Sequence, residues 1–81
     1  MTKEEFLKEM TWFLEYYDKK FNDTQTRIWY EALKDISHET LNKLFNEFIR
    51  KEENPFIPSL GRISNFYKEK NHIDLKGNYI P

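Results

Sequence analysis

Leu41, Leu44, Phe45, Phe48 and Ile49 recur at i, i+3, i+4, i+7 and i+8. That spacing is one face of an α-helix and does not fit a strand, whose side chains alternate with period two. Ser37 stands just before the run, where a hydroxyl can cap a helix start. Pro55 stands just after it and drives Asn54 away from helical geometry. A helix that is apolar on one side must bury that side, so the rest of the chain has to supply a second apolar layer.

It does so with the same periodicity. Thr2 and Glu5 have the spacing of a capping box. Phe6, Leu7, Met10, Phe13, Leu14 and Tyr17 follow as one helical face, which predicts a first helix from about Lys3 to about Lys19. Phe21 is expected to tuck into the core at the turn. Asn22 or Asp23 caps a second helix carrying Ile28, Trp29, Ala32, Leu33 and Ile36. Its connection to the helix after Ser37 is short, so those two helices are expected to be neighbours. The loop Glu52–Pro58 holds two prolines, and its Phe56 and Ile57 are apolar enough to be expected in the core. Ser59 then caps a fourth helix with Leu60, Ile63, Phe66 and Tyr67, ending near Lys70. The pattern stops at Asn71. The reading is an all-α, compact single domain of about four helices over residues 1–70, with an extended C-terminal tail over residues 71–81.

The chain has 81 residues, 17 % of them aromatic, which is material for one core and one domain. It has no cysteine, so no disulfide can hold it. Met1-Thr2-Lys3-Glu4-Glu5 is unlike a secretion signal, and no apolar run approaches the roughly 20 residues that cross a bilayer. A cytoplasmic protein is expected. Net charge is −1. Residues 1–49 carry seven Lys/Arg against ten Asp/Glu, and residues 50–81 carry six against four. Neither imbalance is the strong basic excess of a nucleic-acid binder.

Catalytic chemistry finds little to work with. His38 and His72 lie far apart in sequence and form no metal-ligand spacing, so no metal or other cofactor is expected. Ser37-His38-Glu39 resembles a catalytic list but reads better as a helix start, with Ser as cap and Glu in the first turn. The two glycines, Gly61 and Gly77, make no phosphate loop. The carboxylates fall mainly on polar helix faces. Lys51, Arg62, Lys68 and Lys70 form a possible basic patch. The chain is read as no enzyme.

The aromatic residues exceed what the core faces require. With the first helix's core face set by Phe6, Met10 and Tyr17, Trp12 points almost directly away, and Tyr16 sits one turn along on the same side. Two readings follow: either another part of the chain, the fourth helix or the tail, covers this side, or it is a partner-binding patch of the kind Trp and Tyr favour. Tyr30 on the second helix is a weaker case of the same kind.

A family resemblance runs through residues 6–67. It is carried by Phe13-Leu14-Glu15-Tyr16-Tyr17, Phe21, Trp29, Leu33, Asp35-Ile36, the Ser37-x-Glu39 restart and Phe56-Ile57-Pro58-Ser59-Leu60-Gly61-Arg62-Ile63. In this order the chain resembles the phage-encoded replicative helicase loader and inhibitor family. The resemblance implies a helical N-terminal domain and a non-enzymatic role: binding the replicative helicase, restraining its ATPase and unwinding, and handing it to an origin-bound replication protein. Two alternatives stay open from the residues alone. One is a phage inhibitor of a host defence nuclease, of the anti-CRISPR type, on the same scaffold. The other is a weak nucleic-acid adaptor using the basic patch.

Overall fold

Each helix begins at a side chain that closes its own first turn. Thr2 Oγ1 accepts the Glu5 amide at 3.1 Å, and Glu5 returns the bond by accepting the Thr2 amide. Asn22 and Gln25 make the same reciprocal pair, and Ser37 and Ser59 accept the amides of Thr40 and Arg62. Each cap satisfies a backbone donor that the helix cannot, worth about 1 kcal/mol. The computed structural model describes residues 1–80. The helices are α1 (Lys3–Tyr16), α2 (Asp23–Leu33), α3 (His38–Lys51) and α4 (Leu60–Asn71). Four helices and an all-α architecture are as the periodicity requires. The described residues contain no strand, only one isolated antiparallel bridge between Ile73 and Tyr79.

Aromatic residues make the core. Phe6, Phe13, Leu33, Leu41, Phe45 and Ile63 are wholly buried. At its centre Phe13 of α1 stacks on Phe45 of α3, with ring centroids 3.9 Å apart and planes 13° from parallel. Phe48 meets Phe66 of α4 edge-on at 5.4 Å. The closest helix–helix packing is that of α1 on α3, with α4 on α3 next.

Several expectations fail for local reasons. α1 stops at Tyr16, not Lys19, because Asp18 turns left-handed (φ 53°). The amides of Asp18 and Lys19 then return to the carbonyls of Glu15 and Leu14, which closes the helix without a glycine. Leu7 and Ile28 lie at the edges of their stripes and stay 41 % and 52 % exposed. Phe56 does not plug the core; it is 71 % exposed. Its amide donates to Asn54 Oδ1 at 3.0 Å, a local turn that leaves Phe56 outside while Pro58 is buried and Ile57 partly so.

The C-terminal segment is not extended. His72 takes a left-handed conformation (φ 57°) that ends α4 and reverses the chain. Residues 73–79 then form a tight turn. Asp74 Oδ1 accepts the amides of Lys76 and Asn78, and Gly77 takes the positive φ (87°) that the reversal needs. Leu75 is buried in the core cluster, and Ile73 packs against it. Pro81, the last residue of the expected tail, lies outside the described residues.

Candidate partner-binding surface

The seam between α1 and α3 has two unlike ends. At its start lies Glu9, the one buried charged residue among those described. Glu9 Oε1 accepts the indole N–H of Trp12 and the side-chain amide of Asn42, both at 2.7 Å. Glu9 Oε2 faces His38 Nε2 at 2.5 Å. The other ring nitrogen of His38, Nδ1, lies 3.6 Å from Glu5, whose carboxylate also serves the first cap. Burial alone would raise the Glu9 pKa. The hydrogen bonds from Trp12, Asn42 and His38, with the His38 charge, outweigh it and hold the carboxyl below its ordinary 4.5. An ionised carboxylate only accepts, so His38 Nε2 carries the hydrogen of that bond. Ser37 spends its hydroxyl on capping and on Thr40, so Ser37, His38 and Glu39 assemble no nucleophile.

This network decides where Trp12 goes. Trp12 does not stand free on the outer side of α1. It is partly buried, edge-on to Phe45 at 6.1 Å, with its N–H tied to Glu9. The part of the chain that covers this side is α3, not α4 or the tail. Glu9 is also the exception among carboxylates expected on solvated faces. The available signal is the alignment of Glu5, Glu9 and Trp12 at i, i+4 and i+7 on one side of α1, a polar stripe that calls for donors from a neighbouring helix.

The far end of the seam is open. Tyr16 is 59 % exposed and leans edge-on against buried Tyr17 at 4.9 Å. Both border a groove of about 530 Å³ closed on the other side by Ile49, Glu53, Asn54 and Pro55. Tyr30 lies elsewhere, partly buried against Phe6, in a separate groove between α1 and α2 lined also by Lys3, Leu7 and Arg27. The structure thus brings Trp12 and Tyr16 to one flank of α1 and leaves Tyr30 apart from them. Sequence does not mark Ile49 and Pro55 as groove residues, since nothing in their spacing ties a helix end to a loop.

The basic residues are largely answered by acids. Arg62 pairs with Glu52 at 3.1 Å, and Lys70 pairs with Glu47, whose carboxyl is held below its usual range by that hydrogen bond. Lys51 is exposed and Lys68 partly buried. No group of three or more His, Asp or Glu is placed to hold a metal ion among the described residues. No helix is long and apolar enough to cross a membrane.

Four capped helices around a stacked aromatic core, with shallow grooves as their surface features, define a small all-helical recognition domain. Residues 1–64 match the family model for the N-terminal domain of the phage helicase loader/inhibitor protein. The chain belongs to that family. The matched span takes in α1, α2, α3, the proline loop and the first turn of α4. Comparisons with curated proteins and with solved structures give no match.

Proposed function

We propose that this domain is a non-enzymatic regulator that binds a replicative helicase stoichiometrically in the host-cell cytoplasm and restrains it, without a cofactor. The observation that carries this reading is the family match over residues 1–64. The open end of the α1–α3 seam supports it: Tyr16 offers an exposed aromatic ring beside a groove, on two helices that the core holds rigid. Tyr16 is the contact residue in this reading. Trp12 supports it from behind through Glu9, and Tyr30 offers a second contact in its own groove. Purified protein mixed at equimolar ratio with the replicative helicase of its host should co-elute with it and lower its ATPase rate. Separate elution with an unchanged rate would refute the reading.

No observation favours a defence nuclease as the target. The nucleic-acid adaptor is disfavoured by the pairing of Arg62 and Lys70 with carboxylates, which leaves no concentrated positive charge.

A further inference from the structure

Residues 72–80 are attached to the helices in an unusual way. The turn makes its backbone hydrogen bonds with itself: Asp74 N–H to Asn78 O, Gly77 N–H to Asp74 O and Ile80 N–H to His72 O. Asp74 Oδ1 adds two more from within the segment, the amides of Lys76 and Asn78. Among the described residues, none of these bonds reaches the helical body; only the His72 amide does, and it continues α4. What fixes the turn to the body is side-chain contact. Leu75 is 7 % exposed within the core, and Ile73 packs partly against it. Lys76 Nζ lies 3.6 Å from Asp35 Oδ2, an exposed pair at the corner between α2 and α3. Tyr79, the other half of the bridge, is 78 % exposed and contributes little.

A segment that satisfies its own backbone can leave its seat without stranding polar groups in the body. Its departure uncovers an apolar seat and breaks one exposed ion pair. His72, already left-handed and free of the helix beyond its amide, is the point about which it would turn. We propose that residues 72–80 are a clasp, which opens as a unit while the four helices stay folded. Leu75 is the resting occupant of the seat that the clasp closes, between the end of α4 and the α2–α3 corner. This seat is distinct from the Tyr16 groove. Asp35 precedes the start of α3, whereas Ile49 and Glu53 lie at its end, about 20 Å away along a 14-residue helix. The clasp therefore switches the exposure of an apolar surface independently of the proposed helicase contact.

Amide hydrogen exchange on the full chain tests this. The amides of Asp74, Gly77 and Ile80 should exchange together, at a common opening rate, at least ~100-fold faster than those of Phe45 and Phe48. Protection equal to that of Phe45 and Phe48 would show that the segment is welded to the core. Unequal, unprotected rates at the three amides would show a frayed end and no clasp. Leu75→Ser provides the second arm. Circular dichroism should be unchanged, while the dye 8-anilinonaphthalene-1-sulfonate, which reports exposed apolar surface, should gain fluorescence several-fold. Loss of helicity in that variant, or no gain in fluorescence, overturns the proposal.

Discussion

The two ends of the α1–α3 seam differ in what their polar and aromatic groups have found. At the Glu9 end every strong donor and acceptor is spoken for: Trp12, Asn42 and His38 all converge on one carboxylate, and Glu5 stands behind the imidazole. At the Tyr16 end an aromatic ring of similar character lies in the open beside a groove. Trp12 and Tyr16 sit on the same side of α1, one turn apart. The difference comes from α3, which presents Asn42 and His38 to one end and only Ile49 to the other. A buried charge is costly unless fully partnered, so the closed end is a structural device that orients two helices. The open end is the one with binding capacity to spare.

The largest expected perturbation breaks both ends at once. Phe45→Ala removes the ring on which Phe13 stacks and against which Trp12 leans. It should cost about 3–5 kcal/mol in denaturant unfolding. Glu9→Ala should damage only the closed end, by about 2 kcal/mol, because three donors lose their shared acceptor. A cost near zero would mean that water serves them equally well. Acid should act in the same place. The Glu9 pKa is lowered in the fold, so its contribution is fully present above pH 4.5 and is lost as pH falls through the depressed value. The slope of stability against pH below 4.5 should be shallower in Glu9→Gln than in the wild type. Trp12→Phe keeps the ring contact and deletes one donor, for about 1 kcal/mol. Tyr16→Ala should change stability least, by less than about 0.5 kcal/mol, as befits an exposed side chain.

What can be read in the sequence divides along the same line. The caps at Thr2, Asn22, Ser37 and Ser59 are local chemistry, and all four stand where the residue types put them. The stripe of α3 is periodic, and Leu41, Leu44, Phe45 and Phe48 are buried as the period demands. Periodicity, however, tells a helix which face is apolar and not which neighbour stands beside it. In sequence Glu9 therefore reads as solvated and Trp12 as free, because His38 and Asn42 arrive from 29 and 33 residues away. Phe56 reads as buried on hydropathy alone, while a single hydrogen bond to Asn54 holds it outside. The segment after Asn71 reads as extended because its turn depends on Asp74 gathering two amides and on a glycine at positive φ. Family membership is legible because the resemblance is carried by those same local caps and core positions. The contact residues are not, since exposure is a property of the assembled fold.

The contrast between a closed and an open end is tested most directly by titrating the host's replicative helicase with wild-type protein and with Tyr16→Ala, following ATPase rate while circular dichroism verifies the fold. Tyr16→Ala is expected to retain wild-type helicity and to need at least ~10-fold more protein for the same inhibition, about the loss of 1.4 kcal/mol of binding. A Tyr16→Ala protein that inhibits at the wild-type concentration would contradict the assignment of binding to the open end.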